Sequence, residues 1–145
     1  MAPASVTALP CTEDSVPEAA APRSRRRWRF YTSPTGGEVV WGELDALGAD
    51  AAAALLAEMR VVARHGLKDG GARHLRGDVW EVRADGDHVT LRALFAKQGR
   101  FGQVLLALHV FPKKTRQTPP HKIDLAEKRL ADWRSRARPR RSEHR

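Results

Sequence analysis

The sequence predicts a small α+β domain with the element order β-α-α-β-β-β-α, in which an antiparallel sheet packs on a helical hairpin and a C-terminal helix. The first observation is that apolar residues recur at helical spacing before Gly66 and alternate with polar residues after it. The second is a helical period that returns near the C-terminus. The third is the length, since 145 residues of which 41% are hydrophobic suffice for one core.

The first half of the chain is predicted to hold one short strand and two helices. The aromatic run at 28–31 predicts the strand. The T-x-x-E spacing that begins at Thr35 is typical of a capping box, and it predicts a first helix that ends at Gly48. Asp50 is predicted to cap a second helix, which ends at Gly66. Because the link is short, we expect an antiparallel hairpin.

Three strands and a final helix are predicted in the second half. Residues 80–83, 88–97 and 101–111 alternate or are apolar, and turn signals separate them. Thr118 and Pro119 predict a helix start with proline at the first helical position. The apolar stripe of this helix consists of Ile123, Ala126, Leu130 and Trp133.

Alternation along these strands sorts their side chains into two faces. The apolar face, which we expect to pack on the helices, consists of Trp80, Val82, the odd-numbered residues 89–95 and the even-numbered residues 104–110. The polar members of the other face include Glu81, Arg83, Arg92 and His109. We therefore predict a half-open face, which suits an RNA backbone because guanidinium groups bind phosphate bidentately.

Basic residues are concentrated in two parts of the chain, which carries a formal net charge of +9. Residues 134–145 hold six arginines against Glu143, and residues 88–118 contain no Asp or Glu. A long stretch without acidic residues predicts an anion-binding surface, and RNA is the commonest large anion in a cytoplasm.

One folded domain with unstructured ends is predicted. Residues 1–22 show no hydrophobic period and are predicted to be a disordered leader. The domain is predicted over 23–136, and the basic residues 137–145 are predicted to form a disordered tail with nonspecific affinity for nucleic acid.

Composition and motifs exclude several classes of protein. No apolar run approaches the length of a membrane span, and the N-terminus lacks a secretory signal, so we predict a cytoplasmic protein without membrane contact. Cys11 is the single cysteine and the histidines lack metal-ligand spacing, so we expect neither a metal site nor a cofactor. RNA cleavage is still compatible with the sequence, because RNA supplies its own nucleophile in the 2′-OH.

Four short segments carry a pattern that is specific enough to compare with known families. They are L-R-G-D-V-W-E-V-R at 75–83, L-R-A-L-F at 91–95, L-A-L-H-V-F-P-K-K-T at 106–115 and T-P at 118–119. The pattern resembles the RelE/ParE superfamily of toxin–antitoxin toxins, in its HigB-like, phage-derived branch. The resemblance spans 28–136 and implies a RelE-like fold.

The resemblance implies a ribosome-dependent mRNA endonuclease, neutralised by a co-encoded, HigA-like antitoxin with a helix-turn-helix domain. By position, Arg92 matches an arginine at the scissile phosphate, and Glu81 and Arg83 match charged positions near the RNA. Lys113 and Lys114 match basic residues that follow the last strand. We predict that the catalytic residues are Arg92, Lys114, His109 and Glu81 and that the RNA-binding residues are Arg83, Lys113, Arg116, Lys97 and Arg76.

The general acid and base are left open between His109 and Glu81. Some relatives end in a catalytic tyrosine, whereas Tyr31 is the only tyrosine of this chain. Purely structural interpretations compete with each role. Arg92 could form a salt bridge with Glu81 or Asp87, Arg83 could pair across strands, and His109 could be a hydrogen-bonded strand residue.

Two other functions fit the same fold, because a fold does not fix a function. One is a non-enzymatic, ParE-like toxin that inhibits gyrase, and the other is an inactive phage-derived protein that binds RNA or an antitoxin. An antitoxin could contact the basic face or the helical hairpin. The acid-rich first helix could belong to that interface or be a solvated surface.

Overall fold

A computed structural model describes residues 26–137, which form a five-stranded sheet and three helices. The strands are β1 (Arg27–Phe30), β2 (Arg73–Arg76), β3 (Val79–Asp85), β4 (Thr90–Gln98) and β5 (Val104–Lys113). The helices are α1 (Val39–Asp45), α2 (Ala49–His65) and α3 (Pro120–Ala137). The predicted leader over 1–22 and all but the first residue of the predicted tail lie outside the described residues.

The sheet has the strand order β1-β5-β4-β3-β2, with β1 parallel to β5 and the other pairs antiparallel. The predicted α+β class is confirmed, but the predicted element order lacks β2. That strand has only four residues, of which Leu75 alone is partly buried, so it shows no alternation to detect. A turn at Gly77, with a positive φ of 56°, joins it to β3.

The helices cover both faces of the sheet. Neighbouring residues of a strand point to opposite faces, and on β1 the indole Nε1 of Trp28 donates to the Met59 carbonyl of α2 at 2.7 Å. The guanidinium of its neighbour Arg29 lies 5.4 Å from the centre of the Trp133 ring on α3. Helix α2 therefore packs on one face, and α3 packs on the other with Ala126 and Leu130 buried.

This two-sided packing corrects the predicted half-open face. Glu81 and Arg92 are 0% exposed and His109 is 6% exposed. An amphipathic helix buries its apolar stripe against a neighbouring element. The stripe of α3 covers the sheet face that carries these three residues.

A β-bulge in β5 corrects the predicted alternation of that strand. Leu94 pairs with His109, whereas Phe95 pairs with Ala107, so β5 contributes one extra residue between them. Beyond the bulge the odd-numbered residues of β5, including Leu105, share the face of Phe95. Because both faces of β5 are buried from Leu105 to Phe111, its apolar sequence gave no sign of the change.

The structure also changes the predicted helix starts. Helix α1 begins after Glu38, whose side chain makes no cap hydrogen bond, and α2 is preceded by Gly48 rather than by Asp50. Helix α3 begins at Pro120, which leaves the Thr118 hydroxyl free for another partner. The predicted end of α2 at Gly66 is confirmed.

Candidate nucleic-acid interface

The candidate site is built around the Glu81 carboxylate on β3. Its Oε1 accepts a hydrogen bond from Arg83 Nε at 2.7 Å. Its Oε2 accepts the hydroxyl hydrogen of Thr118, which lies just before α3. The carboxylate is fully buried, so these donors replace the water that an ionised group would otherwise require.

Arg92 lies on β4 directly opposite Arg83. Its NH1 donates to Thr118 Oγ1 at 3.1 Å and lies 3.9 Å from Glu81 Oε2. Its NH2 donates to the Thr115 carbonyl, while its Nε is buried without a hydrogen-bond partner in the described part of the chain. Burial lowers the pKa of Arg92, and the neighbouring positive charge of Arg83 lowers it further.

A cleft of about 670 Å³ opens above this pair. Three arginines line it: Arg73 from β2, Arg83 from β3 and Arg116 from the segment before α3. The Arg83 side chain, 27% exposed, links the cleft to the buried Glu81, because it bonds the Glu81 carboxylate and also donates from Nη2 to the Arg116 carbonyl at 2.6 Å. The rest of the lining, to which no carboxylate of the described residues contributes, consists of Leu75, Gln117, Thr118, Pro120 and Ile123.

The two lysines at the end of the last strand lie beside a second, smaller hollow. Lys113 and Lys114 line about 330 Å³ together with Val89, Pro112 and Thr115. Within residues 26–137, no carboxylate lies within 4 Å of either ammonium group. Their charge is therefore available to an external anion.

His109 belongs to a different cluster. Its Nδ1 lies 2.9 Å from Glu43 Oε1, which also accepts the Val110 amide hydrogen at 3.0 Å. Glu43 Oε2 pairs with Arg129 NH1 at 3.0 Å. Burial acts to raise the pKa of Glu43, but the hydrogen bonds from His109 and Val110 and the charge of Arg129 outweigh it, and the pKa is lowered. Because Leu94 of β4 lies between Glu81 and His109, these two residues are about 10 Å apart at the strand spacing.

Two further predicted RNA-binding residues lie away from the cleft centre. Arg76 is paired on α3 with Asp124 and, at 2.8 Å, with Glu127, and hydrogen bonds to Glu127 and then Asp124 raise its pKa. Lys97 is exposed near the far end of β4. The structure therefore brings together Glu81, Arg83, Arg92 and Arg116 and leaves the other predicted residues elsewhere.

Sequence reasoning missed two members of the site. Arg73 was overlooked because it belongs to the unpredicted strand β2. Thr118 was interpreted as a helix cap, whereas its hydroxyl bridges Arg92 and Glu81. The T-P pair at 118–119 was the available signal for Thr118, since it belongs to the motif on which the resemblance rests.

Two features are absent from the described residues. No group of three or more His, Cys, Asp or Glu side chains within 26–137 is arranged to hold a metal ion. None of the helices in this part of the chain is long and apolar enough to cross a membrane.

The cleft can bind an anion through its guanidinium groups, and phosphate matches their geometry.

Comparison with known proteins identifies a family and curated relatives. The family described as "Phage derived protein Gp49-like" matches residues 42–131. Among the relatives is "Probable endoribonuclease HigB1" of Mycobacterium tuberculosis, strains CDC 1551 and H37Rv. It is 33% identical over 113 residues, which are 77% of this chain and 88% of the relative.

Proposed function

The chain belongs to the phage-derived Gp49-like family, of the RelE/HigB type, and from this membership we propose that it is the toxin of a toxin–antitoxin pair and acts as an endoribonuclease. The observation that carries the proposal is the cleft with three arginines, because a polyanion is the ligand that such a lining attracts. The chain matches 88% of a relative that is named as an endoribonuclease, and this match supports RNA as that polyanion.

In the proposed reaction the RNA 2′-OH loses its proton and its oxygen attacks the adjacent phosphorus, while the bond from that phosphorus to the 5′-oxygen breaks. The leaving oxygen takes up a proton, so that a 2′,3′-cyclic phosphate and a 5′-hydroxyl form. Arg83, Arg116 and Arg73 line the cleft and bind the phosphate, and their charge stabilises the transition state without a metal ion. Lys113 and Lys114 bind the neighbouring backbone, where Lys114 adds positive charge near the reacting phosphate.

The buried pair beneath the cleft has a supporting role in this proposal. Glu81 positions Arg83, because its carboxylate accepts the hydrogen of Arg83 Nε. Arg92 in turn donates to the Thr118 hydroxyl oxygen, and that hydroxyl donates to the other oxygen of the Glu81 carboxylate. Neither candidate for proton transfer lines the cleft, because both Glu81 oxygens accept hydrogen bonds from Arg83 and Thr118 and the His109 Nδ1 is bonded to Glu43.

Two partners complete the proposal. The substrate is mRNA on the ribosome, and a co-encoded, HigA-like helix-turn-helix antitoxin neutralises the toxin. Family membership supports an antitoxin partner, and Lys113 and the exposed Lys114 at the end of β5 supply a basic surface that fits ribosome-bound RNA. Arg76 is left out of the proposed RNA-binding set, because two carboxylates already neutralise its charge.

Primer extension on a reporter mRNA tests the reaction, with purified protein in the presence and absence of ribosomes. Wild type should create new 5′ ends that need ribosomes. Arg83→Gln should cut about 100-fold more slowly, since one lost transition-state contact costs that much or more. The matched control is Arg60→Gln, which removes an exposed arginine of α2 on the other face and should cleave like wild type.

Other outcomes would change the proposed function. Cleavage of free RNA would overturn the ribosome requirement. Growth arrest with intact mRNA would point to gyrase or another target. A chain that neither cleaves nor arrests growth would be a binding protein.

A further inference from the structure

The turn between β4 and β5 presents a phenylalanine to solvent. Phe101 is 81% exposed, compared with 48% for Trp41 and 39% for Val61, the other large exposed apolar residues of the described chain. Its ring therefore adds little to the hydrophobic core. An aromatic ring at the tip of a hairpin is instead free to contact another molecule.

The backbone of this turn is held in place by hydrogen bonds. The Gly102 amide donates to the Gly99 carbonyl at 3.2 Å, and both glycines have positive φ angles, 94° at Gly99 and 68° at Gly102. The Phe101 amide donates to Gln103 Oε1 at 3.0 Å. Arg26 Nε donates to the Gly102 carbonyl at 3.1 Å. Because the turn is already ordered, presenting the ring costs little further conformational entropy on binding.

The surroundings of the ring are cationic. The Arg100 guanidinium lies 5.8 Å from the Phe101 ring centre. Lys97 lies alongside the turn, since a methyl group added at Gly102 would be 3.5 Å from Lys97 Cδ. No Asp or Glu occurs in the sequence from 88 to 118.

We propose that this tip, formed by Lys97, Arg100 and Phe101, is a second RNA-binding site, at which an unpaired base stacks on the Phe101 ring and the two cations contact the flanking phosphates. Single-stranded RNA is favoured because its unstacked bases bind aromatic rings and its backbone attracts cations. The choice of RNA rests on the proposed function, but the site lies outside the cleft.

The tip and the cleft lie at opposite ends of the β4–β5 hairpin. Gln98 lies six positions after Arg92 on β4, which corresponds to about 20 Å of extended strand. A contact that far from the reacting phosphate holds RNA equally well before and during the reaction. Loss of the tip should therefore raise KM for cleavage and leave kcat unchanged.

Binding of a short single-stranded RNA, with 2′-O-methyl groups that block cleavage, tests the site on the full chain. Phe101→Ser should weaken binding about fivefold or more, because it removes one stacked base. The slope of log K against log salt should stay as in wild type, since no charge is lost. Arg100→Gln should instead lower that slope by about one.

Two further variants separate stacking from folding. Phe101→Tyr keeps a ring and should bind like wild type. Trp41→Ser removes the exposed aromatic of α1, which contacts Phe30 and lies on an acid-rich helix, and should also bind like wild type. A duplex RNA of the same sequence should bind wild type and Phe101→Ser equally, because its bases are not free to stack.

Several results would overturn the inference. The inference is wrong if Phe101→Ser binds the single-stranded probe with wild-type affinity, or if it loses as much affinity for the duplex RNA. It is also wrong if Phe101→Tyr binds the probe more weakly than wild type, or if wild type does not bind the probe. Should Phe101 prove necessary for binding a protein partner and not RNA, the tip is a protein interface and the inference is wrong. Its failure is distinguishable from that of the proposed function, because binding of the blocked probe is measured without cleavage.

Discussion

Two carboxylates in this protein each bridge several donors, yet their surroundings differ in charge. Glu43 on α1 bonds His109 and the Val110 amide of β5 and pairs with Arg129 of α3. Glu81 on β3 bonds Arg83 and Thr118 and faces Arg92. Around Glu43 one carboxylate meets one permanent cation. Around Glu81, two arginines and the nearby Arg73 meet a single carboxylate.

The Glu43 cluster has the properties of a structural connection. Strand β1 pairs with β5 only as far as Ala107, so the edge of β5 beyond it presents the Val110 amide without a strand partner. Glu43 satisfies that amide and joins α1, β5 and α3 at one point. Its charge is balanced locally, although the Nε2 of His109 is buried without a hydrogen-bond partner in the described residues, as the Nε of Arg92 is in the other cluster. The two clusters therefore differ in their charge balance.

The Glu81 cluster is costly to bury and keeps a surplus of positive charge. Two guanidinium groups lie opposite one another on β3 and β4, which is unfavourable for like charges. Arg92 is also left with a buried Nε that has no partner in the described residues. A phosphate in the cleft would compensate this surplus, so the difference between the clusters separates a site that stabilises the fold from one built for an anion.

The largest effect that tests this contrast is expected from Glu81→Gln. The substitution removes the carboxylate that lies nearest to Arg92 among residues 26–137, and Arg92 is 0% exposed. An uncompensated buried charge should lower the free energy of unfolding by about 3–5 kcal/mol, measured by urea denaturation. The control is Asp78→Asn, which breaks the exposed ion pair with Arg134 and should cost less than about 1 kcal/mol. A similar, small loss in both variants would contradict the assigned burial cost.

Glu43→Gln should have a smaller effect. The amide can still accept the Val110 and His109 hydrogen bonds, but it loses the charge that pairs with Arg129. The Glu43 side chain is 22% exposed, so solvent screens part of that loss. We expect the free energy of unfolding to fall by about 1–2 kcal/mol in the same assay. RNA cleavage by this variant should match wild type, and a large loss of kcat would place the Glu43 cluster in the functional site.

The pH dependence of the free energy of unfolding should reveal the contribution of the Glu43 carboxylate to stability. Its folded pKa is lowered from the ordinary value of 4.5. A lowered carboxyl pKa stabilises the fold above the unfolded pKa, and that contribution disappears as the pH falls through the folded pKa. The stability difference between wild type and Glu43→Gln should therefore be full at about pH 6 and shrink towards pH 3. A difference that is constant over this range would mean that the charge of Glu43 contributes nothing.

The contrast between the clusters also explains what the sequence could and could not predict. Periodicity predicted the helices, three strands and the approximate position of Arg92 beside Arg83. It could not show that α3 covers the polar face, because an amphipathic helix packs equally well on either side of a sheet. The partner of His109 was also out of reach, since Glu43 lies 66 residues earlier in the chain.

The missed members of the site have equally physical causes. A four-residue edge strand with one partly buried side chain has no pattern to read, so Arg73 was invisible to periodicity. A threonine before a proline is a common helix start, and only tertiary contacts redirect the Thr118 hydroxyl to Glu81. Local rules therefore failed where long-range charge pairing decided the role of a side chain.

The smallest expected effect compares two exposed arginines that sequence reasoning placed in one RNA-binding set. Arg116 lines the cleft, whereas Arg76 is held by Asp124 and Glu127 of α3. A cation that is already paired releases no counterion from RNA, so Arg76→Gln should leave the salt dependence of RNA binding unchanged. Arg116→Gln should lower the slope of log K against log salt by about one. Equal slopes in the two variants would mean that pairing within the protein does not decide which arginines bind RNA, and Arg76 would return to the RNA-binding set.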